Sequence, residues 1–140
     1  MTIPQWVLLA FAAWTVATLI STVGVTRWAK ILTGRARLTD FPADTPHGSP
    51  AYRRMMRAHA NCVENLPIYT AVVVAATVVG ADTPGLDILA STLMGARVLQ
   101  TLTHVGFTET SVTVAARFVF FFAQIVCVVW MGVIVACYSG

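Results

Sequence analysis

A chain of 140 residues with a formal charge of +3 is 57% hydrophobic and only 11% charged, with a mean hydropathy of +0.75. These figures exclude an ordinary soluble domain and point to a multi-span membrane protein. A nucleic-acid partner is not expected, because the basic residues are not interleaved with aromatics and crowd instead into one loop.

Four apolar stretches are each long enough to cross a hydrocarbon core of ~30 Å as a helix. Helices are the expected form, because they satisfy their backbone groups within each segment. The first stretch, Ile3 to Thr26, carries no charge. It lacks the basic start of a secretory signal and outruns the about 7–15 apolar residues of a signal core, so it reads as a span. Ala10, Ala13, Ala17, Ser21 and Gly24 form a small-residue stripe on it. Such a stripe allows close helix packing in lipid, within one subunit or between subunits.

A polar loop follows. Seven of the nine basic residues, Arg27, Lys30, Arg35, Arg37, Arg53, Arg54 and Arg57, lie between positions 27 and 57. The second span runs roughly from Arg57 to Gly80, and the turn "GADTPG" after it has no basic residue. The third span is Leu86 to Val105 and the fourth Val112 to Tyr138. The positive-inside rule places the first loop in the cytoplasm and both termini outside. The expected fold is an all-α membrane protein, one domain over residues 1–140, built as a four-transmembrane-helix bundle and embedded in the cell's inner (plasma) membrane. Cys62, Cys127 and Cys137 fall within spans without metal-ligand or disulfide spacing, so they read as small apolar residues, and no metal is expected.

The polar residues inside the spans follow helical spacing. Arg57, Asn61 and Glu64 recur at i, i+4, i+7 on the second span, and Arg97, Gln100 and His104 at i, i+3, i+7 on the third. With the second span entering near Met55 and a rise of about 1.5 Å per residue, Glu64 comes level with Arg97, and Asn61 with Gln100. Arg57, His104 and Arg117 gather nearer the cytoplasmic surface. A lone charge at mid-membrane costs about 2.5–3.5 kcal/mol on insertion scales, so a Glu64–Arg97 pair is expected. That pair alone could simply fix the bundle. Three arginines facing one glutamate leave surplus positive charge, which an anionic ligand would balance. His59 lies about 200° round the helix from Arg57, which suits an interfacial role as well as ligand contact. Pro67 is expected to kink the second span and free the Val63 carbonyl. Four helices leave little room for a large pocket, which favours a site between subunits.

"RAHANCVENLPIY", residues 57–69, resembles the second-helix signature of the membrane-associated proteins in eicosanoid and glutathione metabolism, the MAPEG family. Arg57, Ala58, His59, Asn61, Glu64 and Pro67 match that pattern. "TGRARL" resembles the end of the family's first helix, with Arg37 as its arginine. "ARVLQTLTH" resembles the third-helix segment with Arg97, and "RFVFFFAQ" the start of the fourth helix with Arg117. The resemblance implies a homotrimer that binds glutathione between subunits at the cytoplasmic side. It also implies conjugation, peroxide reduction or isomerisation of a lipophilic small molecule. On that basis Arg37, Arg57, His59, Asn61, Glu64, Arg97, Gln100 and His104 would contact glutathione, and Arg117 would act on its sulfur. The chain departs from the family at His104, where tyrosine is common, at Gln100, where histidine or tyrosine is common, and at Phe118 and Phe121, where serine or tyrosine often follows the fourth-helix arginine. The segment between Arg97 and Arg117 is a few residues longer than usual.

A free thiol is mostly protonated at pH 7, with a pKa of about 8.5, and a guanidinium beside it favours the thiolate. Arg117 is the residue placed for that role. One alternative is a non-catalytic lipid- or ligand-binding protein of the same fold, with Phe118, Phe120, Phe121 and Phe122 lining a lipid cleft. The other is a small transporter using Glu64 as its ion site, which the uncharged first span disfavours.

Overall fold

The computed structural model describes residues 1–42 and 47–138. Every regular element among them is helical: α1 (Ile3–Thr18), a π-helical turn (Leu19–Gly24), α2 (Val25–Leu32), a 3-10 turn (Leu38–Asp40), α3 (Pro50–Val79), α4 (Pro84–Gly106) and α5 (Ser111–Tyr138). The chain from α1 through α2 is continuous, so the four expected spans appear as four rods. Three of them, Ile3–Leu32, Pro50–Val79 and Ser111–Tyr138, are long and apolar enough to cross a membrane. The fourth, α4, has 23 residues but no 18-residue stretch as apolar as theirs. It turns its polar groups inward: Arg97, Gln100, Thr101 and His104 are all buried.

The helix ends are written locally. The backbone N–H of Thr2 is held by the Gln5 side chain at 3.0 Å. Ser49 and Thr83 cap α3 and α4 by accepting from Tyr52 N and Leu86 N, and each is followed by a proline at the first helical position. Gly80 ends α3 with φ 69°, a left-handed conformation that glycine adopts without penalty. α3 continues across Pro67, which is exposed.

The π turn coincides with a run of hydroxyls. Ser21, Thr22 and Thr26 each donate to the carbonyl four residues earlier. Back-bonding of this kind competes with the regular ladder and distorts helices. On this rod Phe11, Thr15, Thr18 and Thr22 face inward, while the stripe Ala10, Ala13, Ala17 and Ser21 is exposed. The stripe therefore makes no close packing within the chain itself.

α4 lies against α5 along much of its length and also touches α1 and α3. The core gathers Phe11, Cys62, Tyr69, Leu86, Ala90 and Met131, each 1% exposed or less. Tyr69 Oη donates to Pro4 O at 3.0 Å, tying α3 to the start of α1. Large apolar side chains such as Trp6, Ile20, Val78, Val112 and Trp130 point outward. That is the inverse of a soluble surface, and it is what a lipid environment requires.

Candidate functional site

The inner face of α3 is Ala58, Cys62, Tyr69, Val73 and Ala76, all buried. Small and apolar residues at i, i+4, i+11, i+15 and i+18 put that face against α1 and α4. Arg57 and Glu64 consequently stand on the flank and are exposed, with Asn61 half-buried between them. The polar residues then divide into two groups.

The first group surrounds the ends of α3, α4 and α5 nearest the basic loop. Asn61 Nδ2 lies 3.1 Å from His104 Nε2. With the amide donating, the ring nitrogen accepts and its proton sits on Nδ1, a buried atom without a partner. Arg117, 7% exposed, donates from Nη2 to Thr103 O at 3.2 Å and Phe107 O at 3.3 Å. Its Nη1 lies 3.7 Å from Glu109 Oε1, and Arg57 Nη1 lies 4.0 Å from that same oxygen. Two guanidiniums thus converge on one carboxylate oxygen.

The second group is deeper. Arg97 is 1% exposed and donates from Nη1 to Gln100 Oε1 at 2.9 Å. Its guanidinium lies over the Phe11 ring, 5.3 Å from the centroid, and its Nε and Nη2 have no partner. Gln124 Nε2 donates to Gln100 Oε1 at 3.1 Å and to Phe120 O at 2.8 Å. Thr101 accepts from Trp14 Nε1 at 3.3 Å and lies 3.8 Å from the Cys62 sulfur. Gln100 joins the two groups, because its Nε2 donates to Arg117 O at 3.3 Å.

This arrangement differs from the expected Glu64–Arg97 pair. No ion pair joins them; the carboxylate that pairs with Arg57 and Arg117 is Glu109. The reason is partly angular. Arg97 packs beside Cys62, and Glu64, two residues on, is about 200° further round the helix. It is also a matter of level. α3 begins at Pro50, before the assumed membrane entry, and Asn61 meets His104 where a match with Gln100 was expected, one helical turn away. Arg97 accordingly shares a narrow cleft with Asn65, Ile68 and Tyr69 rather than with Glu64. His59 is half-buried with an unpartnered Nδ1. Arg37 is exposed on the loop, where its backbone N–H is held by Asp40 at 2.8 Å.

Glu109 and Gln124 were not singled out from the sequence. Gln124 follows Arg117 by seven residues, so helical spacing alone puts the two on one face. Glu109 is the only acidic residue after Asp87, a weaker signal.

The chain matches the MAPEG family over residues 5–137. The chain belongs to the MAPEG family. As a MAPEG protein it is an integral membrane protein of helical fold, and membership brings it generally among membrane proteins of glutathione-related transfer and isomerisation. Comparison with curated proteins and with solved structures gives no match. In this MAPEG chain the second-helix signature supplies both an inner face, through Ala58 and Cys62, and the flank that carries Arg57, Asn61 and Glu64.

Proposed function

We propose that the protein is a glutathione-dependent membrane transferase, peroxidase or isomerase acting on lipophilic electrophiles. It works as a homotrimer in the inner membrane with both termini outside. The observation that carries this reading is the convergence of Arg57 and Arg117 on a single carboxylate oxygen, at 4.0 and 3.7 Å. Glu109 there stands in for a carboxylate of glutathione, which two guanidiniums bind by charge-assisted hydrogen bonds. Asn61, beside them, offers an amide, and the exposed Glu64 carboxylate suits the tripeptide's ammonium group. Both lie on the flank that faces out of the chain, as does the stripe Ala10, Ala13, Ala17 and Ser21. These outward polar and small-residue faces support a site completed by a neighbouring subunit.

Glutathione supplies a thiol nucleophile. Arg117 holds positive charge within the bundle, where a guanidinium favours a thiolate more than it does in water. Phe118 and Phe122, stacked with centroids 6.4 Å apart and both exposed, give an apolar approach from the lipid side beside Arg117. The same pair favours the second reading, a lipid-binding protein of this fold without turnover.

Calorimetry with glutathione, together with the ultraviolet absorbance of bound thiolate, separates these readings. Arg57→Ala and Asn61→Ala each weaken binding by about 1–3 kcal/mol, the usual cost of a lost charged hydrogen bond. Arg117→Leu removes one of the two guanidiniums on the carboxylate, so it weakens binding by a similar amount and also loses the thiolate band. Binding without thiolate or turnover selects the second reading, and absence of binding at millimolar glutathione overturns both the transferase reading and the glutathione site.

A further inference from the structure

Glu109 sits in the four-residue connection between α4 and α5, and that connection is pinned from both sides. Arg117 donates to Phe107 O at 3.3 Å, and Thr113 Oγ1 donates to Thr108 O at 2.9 Å. Thr110 and Thr113 exchange backbone-to-hydroxyl bonds at 2.8 and 3.2 Å, fixing the first turn of α5. A carboxylate on so short and well-held a segment is carried to one place, the gap between Arg57 and Arg117. It is 56% exposed there, so water and solutes reach it.

We propose that Glu109 is a built-in competitor for the anion site, an internal carboxylate that must leave Arg57 and Arg117 before an external one can bind. The identity of the displaced anion, a glutathione carboxylate, rests on the function proposed above; the competition does not. Three observations carry it. One oxygen of Glu109 contacts both guanidiniums, which is the position a ligand carboxylate needs. Arg57 has no other ion-pair partner among the described residues, so nothing else holds it at the site. The pairs are long and solvent-exposed on the Glu109 side, the class that is weak and readily exchanged. A buried short pair would block the site permanently; this one sets a threshold.

The contact also acts on chemistry. While Glu109 lies against Nη1 of Arg117, its negative charge offsets the field that would favour a thiolate nearby. Displacement by the ligand exchanges one carboxylate on Arg117 for another and leaves Glu109 without its partners.

The test is a Glu109→Gln variant of the full chain in nanodiscs, titrated with glutathione by calorimetry alongside the parent. The amide keeps the shape and removes the competing charge. Glutathione then binds about three- to tenfold more tightly, the range expected from two exposed ion pairs. Equal or weaker binding overturns the proposal; weaker binding would mean that Glu109 instead receives the ligand's ammonium group. A second probe does not depend on glutathione. Sulfate, at ionic strength matched with chloride, raises the melting temperature of Glu109→Gln more than that of the parent, and Arg57→Gln on the variant background removes the difference. An equal sulfate shift in parent and variant overturns the competition. If neither protein binds glutathione but the sulfate difference is present, the glutathione function fails and the competitor stands.

Discussion

Asn61 on α3 and His104 on α4 touch through Nδ2 and Nε2 at 3.1 Å, and this contact sets the level at which the two polar faces meet. His104 is 5% exposed and its other ring nitrogen has no partner, so the amide is all that satisfies the ring. A buried polar group is costly to strand, which makes the contact a register mark between the helices.

Asn61→Ala leaves both ring nitrogens of His104 unsatisfied and lowers stability by about 1–2 kcal/mol. Adding His104→Phe to that variant recovers most of the loss, because removing both partners is near neutral. Thermal melts of the two single variants and the double variant measure it. Simple additivity would show that the side chains do not depend on each other.

Arg97 bonds directly to Gln100 and forms no ion pair with Glu64. Double-mutant cycles with Arg97→Leu should give an interaction of about 0.5–3 kcal/mol with Gln100→Ala and under about 0.5 kcal/mol with Glu64→Gln. The first reflects the 2.9 Å bond between them; the second reflects the outward position of Glu64. A large Glu64 term would restore the pairing that depth counting suggests.

Arg117 ties the last turns of α4 to the connection that follows, with bonds from a single Nη2 to Thr103 O and Phe107 O. Lysine keeps the charge but not the planar fork of donors. Backbone amides of residues 107–110 should therefore exchange hydrogen faster in Arg117→Lys as well as in Arg117→Leu, as read by mass spectrometry. Protection retained in the lysine variant would mean that charge alone organises the segment.

The charge of the first loop predicts its side. A cysteine at Ser49, in a background without Cys62, Cys127 and Cys137, should react with an impermeant maleimide only from the cytoplasmic side. Reaction only from outside would invert the topology.

Much of this was legible from spacing. Arg97, Gln100 and His104 share a face by periodicity, and all three are buried together. The outward apolar residues and the four rods follow from composition. What spacing does not carry is the level of one helix against another. An error of a single turn in where α3 meets the membrane exchanges Gln100 for His104 as the neighbour of Asn61, and counting from an assumed entry point has no finer resolution. Nor does it carry Glu109, whose position depends on how Thr113 and Arg117 hold a short connection rather than on any repeat. The division between buried Cys62 and exposed Glu64 was open to a closer reading, since the small residues at 58 and 62 mark the side that packs.

The π-helical turn at Leu19–Gly24 has a consequence for how the chain tolerates changes of length. The Val25 N–H reaches back five residues to Ile20 O, so the turn holds one residue more than a regular helix would. Deleting the outward-facing Ile20 should let the ladder close as ordinary α-helix while α1 and α2 keep their facing, and Arg27 should still reach the Tyr52 hydroxyl, now 2.6 Å away. Deleting Ala12 instead has no slack to draw on. It would swing the preceding residues by about 100° and carry Phe11 off the guanidinium of Arg97. Slack in the first rod is thus stored at one place, and melting of the two deletion variants would locate it.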